Sequence, residues 1–273
     1  MSDDTKENKM NSLLPETSKA LPDILKSLYS DLAQPGIQII GKNLAKAFDF
    51  CSLPFHVMGY MSDSVKMNLG QKLKQYADKL EKVPVEKQCP VDPQIGTPII
   101  ENLRYTTNDA IADLFTTLLA NASNLDTLDR THPSFAHLIS RLSVDEARII
   151  RYLKNNDIIR YSIFRAEIAK DFSNEFIIVK DHITLLPYKL NLTFPDNVQA
   201  YLSNLIGLGI LVDQSDFSRP EDKKVYDEIY VKYDLEKMRT DYRQKGYRDV
   251  SADDSFYEVT PFGRLFIDAC IKE

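Results

Sequence analysis

The chain has no tryptophan, only 9 glycines and only 3 cysteines among its 273 residues. So little glycine argues against a turn-rich sandwich or barrel and against an enzyme that cradles nucleotide phosphates in a Gly-rich loop. Cys51, Cys89 and Cys270 are odd in number and far apart, which excludes a secreted disulfide framework and points to a reducing compartment. A long apolar run is also missing. The nearest approach, Phe50 to Met61, is broken by Ser52, Pro54, His56 and Gly59, well short of the roughly 20 apolar residues a spanning helix needs. The start, MSDDTKENKMNS, lacks the apolar core of a signal peptide. A soluble, cytoplasmic chain is the expectation, at most peripheral to a membrane. Excess positive charge is absent too. The net charge of −6 gives no general attraction to nucleic acid or anionic lipid.

What is present is helical patterning. Residues 1–33 read as a flexible arm, and Pro35-Gly36 is a break. Beyond it Ile37, Ile40, Leu44, Ala47, Phe48 and Cys51 share a helical face. A second stripe runs through Met58, Met61, Val65, Leu69, Leu73, Tyr76, Ala77 and Leu80, up to Pro84. Eight lysines against five acids between Lys42 and Lys87 make this part locally basic. Residues 83–98, with four prolines, read as an extended linker or strap, so 34–98 form an amphipathic helical segment plus linker. Residues 99–142 read as a central helical pair. One member, Asp109–Ser123, would be opened by Thr106 and Asp109. The other starts at Pro133 and runs to about Leu142.

From residue 143 the pattern changes. Ser143 and Glu146 form a capping box that starts a helix with Ala147, Ile150 and Leu153 inward. A short helix is expected at Ile163–Phe172, a hairpin from Phe176–Val179 and Ile183–Leu192, a helix at Asp196–Leu208, and a strand at Ile210–Val212. The charged stretch 214–254 suggests a strand at Glu228–Tyr233 and a helix at Leu235–Gln244. A returning strand at Tyr257–Val259 and a helix Phe262–Ile271, capped by Thr260-Pro261, end the chain. The expected fold is therefore mainly α: a helical N-terminal half, then a winged-helix-like α+β module over 143–273 with a wing insertion at 214–254.

No cluster carries chemistry on its own. His132 and His137, beside Asp129, are five residues apart, about 140° around a helix, and do not converge on a metal. The three cysteines have no CxxC spacing and no histidine neighbour. Gly207-Leu208-Gly209 ends a helix rather than opening one, so it is no phosphate loop. Asp145-Glu146 and Asp253-Asp254 are adjacent pairs that point apart and read as capping and solvated wing. No catalytic, cofactor-binding or metal-ligating residue is assigned, and the expectation is a binding protein rather than an enzyme. In a winged helix the segment Asp196–Leu205 would read DNA, yet it has no Lys or Arg, and Asp213–Glu258 holds nine cations against thirteen acids. For helices 37–50 and 58–82 two readings stand. They pack in the core, or they open onto the inner leaflet as a lysine-flanked pair with Phe48, Phe50, Phe55, Met58 and Tyr60 at the tip.

An ordered set of segments resembles one family. Asp113-Leu114-Phe115, Leu118-Leu119-Ala120-Asn121-Ala122, His132-Pro133-Ser134-Phe135 and Leu142-Ser143-Val144-Asp145-Glu146-Ala147 occur in that order. Leu205-Ile206-Gly207-Leu208-Gly209-Ile210 and Val259-Thr260-Pro261-Phe262-Gly263-Arg264-Leu265-Phe266 follow. Together, and with Glu101–Thr106, they are similar to the abortive infection alpha family of bacterial proteins, from about residue 34 to 273. The resemblance implies a bacterial host and phage resistance through abortive infection. It brings no established catalytic residues, so none is carried over. It leaves three mechanisms: binding a protein partner or phage component, peripheral membrane action through 37–82, or nucleic-acid regulation by the winged-helix-like module.

Overall fold

The computed structural model describes residues 63–169, 175–215, 217 and 219–272. The expected arm 1–33, the helix 37–50 and the tip residues up to Met61 lie outside the described residues. The chain divides between Arg141 and Leu142 into two compact units. It is mainly helical, with one antiparallel sheet near the C-terminus, as the patterning indicates.

The first unit contains α1 (Asp63–Leu80), α2 (Pro93–Leu103), α3 (Asp109–Ala122) and α4 (Ser134–Ser140). α3 is apolar almost all round, and a helix of that kind belongs at the centre. It packs against α1, α2 and α4. The α1 stripe is found as expected, with Leu69, Leu73, Tyr76, Ala77 and Leu80 all buried. Polar ties fix its register on α3. The Tyr76 hydroxyl lies 2.6 Å from Ser123 Oγ. Lys79 Nζ donates to Asp113 Oδ1 at 2.7 Å and to Thr117 Oγ1 at 2.6 Å, and Lys72 pairs with Asp109.

Two expectations fail here. The proline-rich stretch is not extended throughout, because α2 begins inside it. Pro93 occupies the first turn, where a missing N–H costs nothing, and Asp92 caps the helix by accepting from Gln94 N at 2.8 Å. Thr106 is not the cap of α3. Asn108 is, through Ala110 N at 2.9 Å, while Thr106 Oγ1 donates back to the Asn102 carbonyl.

The second unit runs α5 (Val144–Leu153), β1 (Ile158–Ile168), β2 (Phe176–Thr184), the single turn α6 (Leu186–Lys189), α7 (Val198–Gly207) and β3 (Leu211–Asp213). Then come α8 (Lys223–Lys232), α9 (Leu235–Gln244), β4 (Tyr247–Val259) and α10 (Pro261–Cys270). The strands lie in the order β2-β1-β4-β3, antiparallel throughout. α8 and α9 cover the face carrying Phe164, Ala166 and Val250, with Tyr226, Ile229 and Leu235 packed among them. Helix α5 packs against α7 and α10, and α7 against β3.

Four sequence expectations are corrected. The helix expected at 163–172 is strand through Ile168. The β-branched and aromatic residues of β1 are paired on both sides, by β2 and β4, and that pairing overrides helix-favouring Ala166 and Glu167. The expected turn near 180–182 is instead a bulge inside β2, where the register with β1 shifts between Ser162 and Phe164 and His182 has φ 42°. The strand expected at Glu228–Tyr233 is helix α8, which buries Tyr226 and Ile229 three residues apart on one face. Finally, β4 starts ten residues earlier than the expected returning strand.

Candidate functional site

Two constellations dominate the second unit. One is a carboxylate hub at the start of α5. The capping box forms as the spacing requires, with Ser143 N donating to Glu146 Oε2 at 2.5 Å and Glu146 N to Ser143 Oγ at 3.2 Å. Glu146 also accepts from Asn204 Nδ2 of α7 at 2.7 Å. Asp145 is buried and accepts from the backbone amides of Thr193 and Phe194 at 2.8 and 2.9 Å. The Tyr201 hydroxyl, also on α7, donates to it at 3.1 Å, and Arg148 donates at 2.7 Å. Burial pushes the Asp145 carboxyl up, but these hydrogen bonds outweigh it and hold the group below its usual range. The sequence reading of this pair as capping is right for Glu146. The role of Asp145 in clasping the 193–194 segment has no local signal.

The other constellation takes one side chain from each strand: Tyr161 from β1, His182 from β2, Asp213 from β3 and Tyr257 from β4. The His182 ring lies on Tyr161 at 4.6 Å between centroids, and Tyr161 on Tyr257 at 4.7 Å. Tyr161 donates to Asp213 Oδ1 at 2.7 Å. His182 Nδ1 is 2.6 Å from Asp181 Oδ1, and its Nε2 is 3.8 Å from Asp213 Oδ2. Burial first, then the carboxylate of Asp213, pushes the phenols of Tyr161 and Tyr257 far up, so both stay protonated. Tyr161 serves as a donor to Asp213, and Tyr257 as a packed ring, rather than as bases. The adjoining Ser255 hydroxyl is bonded to the Gln214 and Phe217 carbonyls. Sequence reasoning missed this cluster because its members lie on four separate strands.

The residues weighed in the sequence fall apart in space or into structural work. His132 binds Ser134 Oγ at 2.7 Å at the entrance to α4, while His137 is exposed on that helix. Cys89 is half-buried and Cys270 fully buried, and burial raises both thiols. Cys51 lies outside the described residues. Asp253 pairs with Arg165. Asp254 accepts from Ser162 Oγ at 2.7 Å and from the Tyr230 hydroxyl. Gly209, with φ 73°, closes α7: its amide bonds to the Ile206 carbonyl and that of Ile210 to Leu205, a glycine helix stop. Among the described residues no group of three His, Cys, Asp or Glu is placed to hold a metal, and no helix is long and apolar enough to cross a membrane. An open groove of about 500 Å³ in the first unit is lined mainly by Pro90, Val91, Pro93, Ile95, Leu128 and Pro133.

No curated protein matches the chain. One solved structure, an uncharacterized protein from the marine hydrocarbon-degrading bacterium Alcanivorax borkumensis SK2, is 18% identical. It covers 50% of this chain and 92% of its own, at a TM-score of 0.33, which is too slight a likeness to carry an argument. The sequence matches the family described as "Abortive infection alpha" over residues 65–270. The resemblance seen in the ordered segments is thereby sustained, and the chain belongs to the abortive infection alpha family.

Proposed function

We propose that this chain acts in bacterial phage defence by abortive infection, as a non-catalytic binding protein whose C-terminal unit is a winged-helix-like scaffold. Family membership supports the defence role. The winged-helix reading is supported by chain order, α5, β1, α7, β3, a helical insertion in place of the wing loop, β4 and α10, with β1, β4 and β3 adjacent, while β2 and the single turn α6 are added between β1 and α7. The observation that carries the binding mode is the use made of α7, which occupies the position of a DNA-reading helix. Three of its polar side chains bond within the unit, while Gln199 and Ser203 stay exposed. Gln199 donates to the Asp181 carbonyl, Tyr201 to Asp145 and Asn204 to Glu146. The helix has no Lys or Arg to neutralise phosphate. A protein partner or phage component is therefore the better ligand class.

Phage challenge of bacteria with and without the chain, following both plaque number and host survival, tests the role. Protection with death of the infected cells is the expected outcome, and equal plaque numbers would refute it. A duplex mobility shift at nanomolar protein, sequence-selective near physiological salt, would replace protein binding with nucleic-acid regulation.

A further inference from the structure

β2 and β3 are the opposite edges of the sheet, with β1 and β4 between them. A side chain on one edge nevertheless reaches the other. The His182 ring of β2 lies over Tyr161 of β1 at 4.6 Å and stacks on Tyr257 of β4 at 6.2 Å. Its Nε2 thereby comes within 3.8 Å of Asp213 Oδ2 on β3, while Nδ1 is 2.6 Å from Asp181 Oδ1. Asp213 is held in place, because the Tyr161 hydroxyl donates to its other oxygen at 2.7 Å. The backbone is committed as well. His182 sits at φ 42°, a left-handed conformation uncommon outside glycine, in the bulge that sets Asp181 and His182 opposite Ile163 alone. Strained positions of this kind persist where surrounding contacts over-determine them, and they gather at switches.

The two contacts of the ring differ in kind. The one to Asp181 is a hydrogen bond, and the one to Asp213 is too long for one. A neutral imidazole has a single N–H. Spent on Asp181, it leaves a lone pair on Nε2 facing a carboxylate oxygen, and the two repel. An imidazolium carries an N–H on each nitrogen and a charge that attracts both carboxylates. The charged groups that face the ring are Asp181 of β2 and Asp213 of β3. From β1 and β4 it meets the protonated phenols of Tyr161 and Tyr257. Helix α7 meets this corner through uncharged Gln199, which donates to the Asp181 carbonyl. We propose that His182 is a proton-operated latch: with a second proton, taken from water, it closes from Nε2 onto Asp213 Oδ2 and ties the two sheet edges together. Loss of that proton opens the tie. Histidine is the side chain whose charge changes between about pH 5 and 8, so the latch is closed on the acid side of that window and open on the alkaline side. The effect reaches α7, which is held at its first turn through Gln199 and runs into the strand that ends on Asp213. The inference is independent of the proposed ligand class.

The test uses the full chain. Amide hydrogen exchange at Leu211, Val212 and Asp213, corrected for the intrinsic effect of pH, should slow roughly threefold between about pH 8 and pH 6. Two variants should abolish that difference. Asp213→Asn keeps an acceptor for Tyr161 but removes the charge, and His182→Gln removes the proton site. A measurement on the parent alone guards against variants that fold poorly. In nitrogen-15 NMR near pH 6 the His182 ring should carry protons on both nitrogens, with the Nε2 proton exchanging with water more slowly than those of exposed His137. Equal protection of β3 at the two pH values in the parent would overturn the proposal. So would a pH effect that survives in both folded variants, or a His182 Nε2 proton that exchanges as fast as those of His137.

Discussion

Gly263, in the first turn of α10, lies against the backbone of Ile210. A β-carbon there would overlap the Ile210 carbonyl oxygen and come within 2.9 Å of its carbonyl carbon. The approach is locked by Thr260, whose hydroxyl donates to the Gly209 carbonyl at 2.6 Å and accepts from Gly263 N at 2.8 Å. Inside an ordinary helix, Gly→Ala gains about 1 kcal/mol in helix propensity. At this position the obstacle is backbone rather than a flexible side chain, so the steric term wins. Gly263→Ala should destabilise the C-terminal unit by ~1–3 kcal/mol. Urea titration of the two proteins checks the sign, and a rise in the midpoint would refute the packing argument.

Asp145 should behave as a clasp that acid opens. In Asp145→Asn one carboxylate oxygen becomes an NH₂ group facing a donor, so one of the Thr193 and Phe194 amides loses its acceptor. The expected loss is about 1–3 kcal/mol at pH 7. The carboxyl is held low in the folded state. Its stabilisation is therefore present above the unfolded value of about 3.9 and lost as pH falls through the folded value. The gap between parent and variant should be full at pH 7 and narrow on acidification below about pH 4. A gap constant across that range would show that the carboxylate charge plays no part.

Asp254 should show the opposite slope. Burial, the largest influence, raises its carboxyl, while the hydrogen bonds from Ser162 and Tyr230 lower it only in part. The folded protein therefore holds the proton more tightly than the unfolded chain, and this group costs stability as pH rises from the unfolded value through the folded one. Asp254→Asn keeps an acceptor for the Tyr230 hydroxyl and offers Ser162 a donor. Its melting temperature should equal or exceed that of the parent at pH 7, with the advantage vanishing near pH 3. A lower melting temperature at pH 7 would mean that the charge itself is needed.

The legible parts of the sequence were those whose signals are local. The Ser143–Glu146 box, the α1 stripe, the glycine stop after α7 and the Thr260-Pro261 cap each depend on residues near in sequence, and each is found in place. β1 and α8 were misread because their β-branched and aromatic residues fit both periods over short windows, and only pairing or packing with distant segments decides between them. His182 could not be read at all. Its bulge depends on register with β1, and its neighbours Tyr161, Asp213 and Tyr257 are brought together by the sheet alone.

The face of α1 separates core packing from membrane action for the segment described. Leu69 and Leu73 are 1% and 4% exposed, turned onto the helices of the first unit rather than outward. Lys72 and Lys79, which a membrane-surface helix would offer to headgroups, are instead paired with Asp109 and Asp113 of α3. Leu73→Ala should cost about 2–5 kcal/mol through the lost burial and the cavity left behind. Leu73→Glu should unfold the first unit, because an unpaired carboxylate there costs several kcal/mol against a total of ~5–15 kcal/mol. Circular dichroism and thermal melts of the purified variants measure both effects. The folded parent should stay in the dense fractions when floated with anionic vesicles, since its apolar stripe is already covered. A folded, cooperatively melting Leu73→Glu protein would sink the packing account, and vesicle binding lost in that variant would assign the stripe to the membrane.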